Sequence, residues 1–105
     1  MKVMNDGQKQ IDKWFKQEDW PYWTPHENFT RLVEEVGELA RLMNHEYGPK
    51  KRKPDEASQN IEGELGDILY SLACLANIHD INLDEALQKS IDKVETRDKN
   101  RFKDT

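Results

Sequence analysis

The sequence predicts an all-α protein, an antiparallel four-helix arrangement whose core is completed by homo-oligomerisation. Three observations predict it. Apolar residues recur at helical spacing in four segments, with no alternating strand pattern between them. The breaks between those segments carry helix stop and start residues. The apolar supply is also thin, because 35% of the 105 residues are hydrophobic and 35% are charged. An average globular domain is ~45–50% apolar with glycine counted. Long amphipathic helices need less core, and a second copy of the chain supplies what one copy lacks.

The first helix is predicted from about Asn5 to Gln17, with Ile11, Trp14 and Phe15 on one side. The segment EDWPYWTP then breaks the pattern with two prolines and holds Trp20, Tyr22 and Trp23. Thr24, Pro25 and Glu27 start the second helix with a hydroxyl cap, a proline at the first helical position and a glutamate three after the cap. Gly48 and Pro49 stop that helix after Tyr47. A polar linker, PKKRKPDEAS, leads to a third helix from about Glu56 to His79. Asp80 to Asn82 form a turn, and Asn82 with Glu85 caps a fourth helix from Leu83 to about Arg101.

Charge and cysteine content narrow the class. A net charge of −5 argues against nucleic-acid binding, which rests on a basic surface. The single cysteine, Cys74, cannot form an internal disulfide and fits a reducing compartment. No signal peptide is visible, and no apolar run approaches the ~20 residues that cross a membrane. The expectation is a soluble cytoplasmic protein with no membrane partner.

The two most apolar helices carry acids where packing would not ask for them. The second places Phe29, Leu32, Val33, Val36, Ala40, Met43 and Tyr47 on one face, with Glu35 and Glu38 along its border beside Leu39 and Leu42. Glu34 points to solvent. The third carries a stripe of Ile61, Leu65, Ile68, Leu72 and Leu75, with Glu64 and Asp67 on its flank beside Ser71 and Ile78. Residues three apart are neighbours on a helix, so each helix presents an acidic pair to the edge that a neighbouring helix covers. Packed antiparallel, the two pairs converge.

Convergence has an electrostatic cost. Two carboxylates ~5 Å apart repel by about 3 kcal/mol at an effective dielectric of 20. Either the acids take up protons or a cation neutralises them. A ligand set of oxygens without histidine or cysteine suits a hard ion, Mg²⁺ or Mn²⁺, and not zinc. Gly37, Gly63 and Gly66 sit among the acids despite the cost of glycine in a helix. They read as room for a close helix or a bulky phosphate. Asp92, Glu95 and Asp98 repeat the spacing among lysines and arginines, and read as a solvated face.

Lys93, Arg97 and Arg101 form a row along the edge of the fourth helix. Such a row can take phosphate oxygens beside a metal, or complement the helix dipole. Trp20, Tyr22 and Trp23, with His26, can stack on a base or cover the open end of the bundle. The run Lys50 to Lys53 reads as a solvated loop. Cys74 faces the side of Asp67 and Ser71 with no histidine placed to activate it, and His45 and His79 read as surface or capping residues.

Taken together, EEVGEL, EGELGDILYSLACLAN, INLDEAL and KVETRDKNRF resemble the MazG-like nucleoside triphosphate pyrophosphohydrolases. The family signature, E-x-x-E followed after a spacer by E-x-x-D, stands here as Glu35, Glu38, Glu64 and Asp67. The resemblance runs from about Phe29 to Phe102 and implies that residues 1–105 form a single domain of this all-α kind. It implies Mg²⁺-dependent hydrolysis of a (d)NTP between the α- and β-phosphates, giving a monophosphate and pyrophosphate, in the housecleaning of non-canonical or excess nucleotides. The four acids would hold one or more Mg²⁺ ions and activate the attacking water. Lys93 and Arg97 match the family's phosphate-contacting residues. The family assembles as homodimers or homotetramers. One departure falls where sugar or base is recognised: many members carry asparagine seven residues after the aspartate, where this chain has Cys74. Asn77 lies one turn further on.

The same superfamily look fits a phosphoribosyl-ATP pyrophosphohydrolase. A different class, a non-catalytic helical module binding nucleotide or a partner, would not need all four acids intact.

Overall fold

The computed structural model describes residues 2–48, 60–99 and 101. They form four helices and no strand: α1 (Val3–Gln17), α2 (Pro25–Tyr47), α3 (Ile61–Ile78) and α4 (Leu83–Lys99). The basic run Lys50–Lys53 and the predicted first turn of the third helix lie outside the described residues. None of the described helices is long and apolar enough to cross a membrane.

Local chemistry sets the helix ends. At α2, Glu27 N–H donates to Thr24 Oγ1 at 3.2 Å and Thr24 N–H donates to the Glu27 carboxylate at 3.2 Å, a reciprocal capping box. Asn60 caps α3 by accepting from Gly63 N–H, so this helix starts at Ile61, the first residue of its predicted stripe, and not at about Glu56. Asn82 accepts from Asp84 and Glu85 N–H at 2.9 and 3.2 Å at the start of α4. Two helices end alike: Asp19 and Asp80 adopt φ of 57° and 54°. The following residues, Trp20 and Ile81, donate back to the Phe15 and Ala76 carbonyls at 2.9 and 2.8 Å. The first of these turns folds the Trp20 segment back over α1.

Antiparallel α2 and α3 form the main packing unit, with α1 laid against α3 and α4 packed on α1. Asn28 Nδ2 donates to the Ser71 carbonyl at 2.8 Å at one end of the α2–α3 seam, and Glu35 meets Glu64 seven residues along. The seam differs from the predicted one. Asn28, Glu35 and Leu42 are the buried residues of α2, and Glu64, Ser71 and Cys74 are buried on α3. Most of the predicted α2 stripe faces outward: Phe29 is 54% exposed, Val33 53%, Val36 48% and Tyr47 78%. On α3 Leu65 is exposed, while Ile61, Ile68, Leu72 and Leu75 are half-buried. Hydrophobic count identifies a helix's apolar face but not which neighbour covers it, and here the chain's own α3 covers the acidic border instead.

Of the two readings of the glycines, the close helix is not met within one chain, and open space is. A methyl group on Gly37 or Gly66 would meet nothing within 4 Å among the described residues, so no helix of the same chain approaches them. Gly63 is different, since a Cβ there would sit 2.9 Å from Asn60 Oδ1 and disturb the α3 cap.

Polar residues hold α1 in place. Buried Gln8 donates from Nε2 to Asn77 Oδ1 at 3.0 Å and to the Ile81 carbonyl at 2.6 Å, and its Oε1 accepts from Leu83 N–H at 2.9 Å. Asn77 Nδ2 donates to the Gln8 carbonyl and to Tyr22 Oη, both at 3.0 Å, and Tyr22 Oη donates to Asp12 Oδ1 at 2.9 Å. Burial pushes the Tyr22 phenol up to about 12, so it stays a donor. The Lys16 ammonium, then the Tyr22 hydroxyl, hold the Asp12 carboxyl below its usual value. The α1 N-terminus has no side-chain cap of its own. Buried Asp84 on α4 takes that place, accepting from Met4 and Asn5 N–H at 3.2 and 2.8 Å.

Gln8→Ala would take the side-chain partner from Asn77 Oδ1, the Ile81 carbonyl and the Leu83 N–H, at ~1–3 kcal/mol per orphaned buried group. The expected loss is about 3 kcal/mol, read as a lower urea midpoint at unchanged m-value. A loss below about 1 kcal/mol would show the network to be incidental.

Candidate functional site

The acids meet where the α2–α3 seam opens. Glu35, Glu64 and Asp67 each present one carboxylate oxygen such that all three lie within 4.8 Å of one another. Glu35 and Glu64 are buried and Asp67 is exposed at the mouth. Spacing explains the grouping: Glu64 and Asp67 are neighbours on α3, and the antiparallel seam brings Glu35 opposite. The fourth predicted acid, Glu38, is exposed and stands outside this close group, yet its charge still reaches Glu64.

Glu64 carries the strain of the arrangement. Its Oε2 is buried and has no hydrogen-bond partner among the described residues. Burial, then the hydrogen bond to Glu35, then the charges of Glu35, Asp67 and Glu38, push its carboxyl above the usual glutamate value. An orphaned buried oxygen beside two further carboxylates fits a hard divalent cation. The oxygen-only donor set is wrong for zinc.

Arg31, four residues before Glu35 on the same face, places Nη2 2.8 Å from Glu35 Oε1, with Nη1 3.7 Å from exposed Glu34. Its spacing to Glu35 was visible in the sequence, although the predicted cation row lay elsewhere. That row is not at the site. Lys93 and Arg97 sit exposed on α4, and Arg97 Nε pairs with its neighbour Asp98 at 3.0 Å. Within one chain the structure does not bring either cation to the acids.

A cleft of about 710 Å³ opens beside the acids and is lined by Glu35, Asp67 and Arg31 together with the aromatics Phe15, Trp20, Tyr22, Trp23 and Tyr70. Trp20 is held edge-on by Trp14 at 4.9 Å, and Tyr22 stacks on Phe15 at 4.6 Å. Trp20 and Trp23 keep 48% and 56% of their surfaces open. Asn28, Ser71 and Cys74 line the floor. Ser71 lies on the acid flank of α3 as its spacing predicts, whereas Asn28, two turns before Glu35 on the same face, was not singled out in the sequence. Burial pushes the Cys74 thiol up, against a smaller opposing effect of the Tyr70 hydroxyl, so a buried neutral thiol occupies this wall.

The other predicted contacts fall elsewhere. Asn77 spends its amide on Gln8 and Tyr22, behind the cleft wall. His26 is exposed in the first turn of α2, outside the cleft lining, and its carbonyl accepts from Thr30 Oγ1 at 3.0 Å. Of the aromatic group, Trp20, Tyr22 and Trp23 all line the cleft.

Known proteins share this sequence and fold. The family model for the MazG nucleotide pyrophosphohydrolase domain matches residues 23–102. The uncharacterized protein YpjD of Bacillus subtilis (strain 168) is 45% identical over 101 residues, covering 96% of this chain and 91% of YpjD. A second Bacillus subtilis protein, the uncharacterized YvdC, is 28% identical over 98 residues, covering 88% of this chain and 92% of its own. The crystal structure of YpjD superposes with a TM-score of 0.78 at 43% identity, covering 90% of this chain and 95% of that one. A Bacillus-conserved MazG protein, described with its crystal structure as a nucleotide pyrophosphohydrolase, superposes with a TM-score of 0.76 at 40% identity. It covers 95% of this chain and 97% of its own.

Proposed function

This chain belongs to the MazG nucleotide pyrophosphohydrolase family, and from that premise we propose that it hydrolyses a (d)NTP to (d)NMP and pyrophosphate with Mg²⁺, as a housecleaning enzyme. The observation that carries the reading is the group of Glu35, Glu64 and Asp67 oxygens within 4.8 Å beside an aromatic cleft. The acids suit a charged phosphate chain with its counter-ion, and the aromatic side chains suit a flat base.

Glu35, Glu64 and Asp67 are the residues that would hold the cation, and Mn²⁺ would serve in its place. A bound divalent cation supplies charge neutralisation at the phosphates and lowers the pKa of water. Glu64 gives up the proton that its surroundings favour in the metal-free site. Glu38, outside the close group, is free to accept the proton of the attacking water as the phosphoanhydride bond breaks toward pyrophosphate. Trp20 and Trp23 stack the base, orienting the chain of phosphates toward the acids.

A homodimer or homotetramer completes this reading. The outward stripe of α2 gains cover from a second copy, and an α4 from that copy could bring Lys93 and Arg97 to the phosphates. The setting is cytoplasmic, where nucleotides and Mg²⁺ are at hand.

The test is a panel of canonical and damaged nucleotides, with phosphoribosyl-ATP included, assayed with millimolar Mg²⁺. At least one should yield pyrophosphate and no orthophosphate, and the turned-over nucleotide should quench the cleft tryptophans on binding. Silence across the panel, or orthophosphate as the product, would overturn the assignment. Turnover confined to phosphoribosyl-ATP would move the enzyme to histidine synthesis.

A further inference from the structure

The cleft contains one feature that neither the acid signature nor the α4 cations explain. Arg31 is the single cation lining it among the described residues. Its guanidinium is spent on Glu35, 2.8 Å away, while half of the side chain stays open to solvent. Glu35 is also one of the three acids suited to a cation. The same carboxylate therefore has two claimants, an internal one and an external one.

We propose that Arg31 is a phosphate-binding residue held in reserve by Glu35, and released toward the substrate when a divalent cation takes that carboxylate. This rests on the pyrophosphohydrolase reading of the site. In the metal-free protein the guanidinium offsets part of the repulsion within the acidic group, so the group assembles before any ion arrives. Once a cation draws on Glu35, the fork of Arg31 loses its strongest partner. Glu34, at 3.7 Å and exposed, is the other carboxylate facing it, and a water-screened pair of that kind holds weakly. A phosphate entering beside Asp67 then offers the bidentate partner that guanidinium geometry favours. Charge is conserved in the exchange: the carboxylate trades an internal cation for an external one, and the phosphate takes the cation set free. The site thus carries a phosphate ligand of its own, whatever a second copy adds through Lys93 and Arg97.

Competition and positioning predict opposite signs, and that separates them. Arg31→Ala and Arg31→Lys are compared with the parent by calorimetric titration of Mg²⁺ alone, by tryptophan quenching with a non-hydrolysable nucleoside triphosphate in Mg²⁺, and by steady-state kinetics. Removing a competitor should leave Mg²⁺ affinity equal or tighter in Arg31→Ala, by up to ~10-fold. Affinity for the analogue should fall at least ~10-fold, and KM should rise more than kcat falls. Arg31→Lys, which keeps the charge but not the fork, should recover part of the analogue binding. Weaker Mg²⁺ binding in Arg31→Ala would make Arg31 a mere support for Glu35 and overturn the proposal, as would unchanged analogue affinity. Because the Mg²⁺ titration needs no turnover, failure of the competition is distinguishable from a protein that releases no pyrophosphate at all.

Discussion

Glu64→Gln should abolish pyrophosphate release, by ~100-fold or more, and at the same time raise the melting temperature of the metal-free protein. The first effect follows from the loss of a buried ligand, since even outer-shell changes at metal sites cost ~10–100-fold. The second follows from the environment of the carboxylate. Glu64 Oε2 is buried without a partner, and Glu35, Asp67 and Glu38 all act to disfavour its charge. A neutral amide of the same shape removes that repulsion, and a rise of a few degrees is the expected result.

The pH dependence has a definite sign. The folded carboxyl of Glu64 titrates above its ordinary value. Between the two values, the folded protein holds a proton that the unfolded chain has released. Metal-free stability therefore falls as pH rises through that window, and Glu64→Gln flattens this slope. Millimolar Mg²⁺ should raise the parent's melting temperature near neutral pH, because an ion bound only by the folded state stabilises it. It should do little for Glu64→Gln. Parent-like activity in the variant, or equal Mg²⁺ shifts in both, would remove Glu64 from the site.

Val36→Asp should break the assembly while leaving the single chain folded. Val36 is 48% exposed among Phe29, Val33 and Tyr47, all more exposed still. A lone solvent-facing position of this kind tolerates aspartate within about ±0.5 kcal/mol. If a second copy covers the stripe, the same aspartate is buried against apolar groups without a partner, which costs several kcal/mol. Light scattering on the parent should give a dimer or tetramer, and on Val36→Asp a monomer with unchanged helical signal. A parent that runs as a monomer at tens of micromolar would refute the assembly. If α4 cations of a second copy serve the site, KM should rise along with the dissociation.

The residues differ in how much of this they declared in advance. Helix starts were legible where one side chain decides them, as at Thr24 with Glu27 and at Asn82. The acids were legible because E-x-x-E spacing is a property of a single helix. What lay between helices was harder to read. The outward turn of Phe29, Val33 and Val36 depends on what α2 packs against, and no property of α2 alone records that. Asn28 was silent because a buried polar residue is recognised by its partner, which here lies on another helix. Asn77 read as a ligand for a nucleotide and proved to be bonded to Gln8 and Tyr22. Lys93 and Arg97 read as site residues through the family resemblance, and in one chain they lie on a helix that packs on α1.

The cap that Asp84 places on α1 bears on how the molecule is made. The amino-terminal helix leaves the ribosome first, yet the carboxylate that caps it lies 79 and 80 positions downstream of the amides it binds. The helix is 15 residues long, a length at which isolated helices are marginal in water. The α2–α3 hairpin can form while translation continues, and α1 then has α3 to dock on through Gln8 and Asn77. The start of α1 stays uncapped until α4 emerges, so the last helix made secures the beginning of the first.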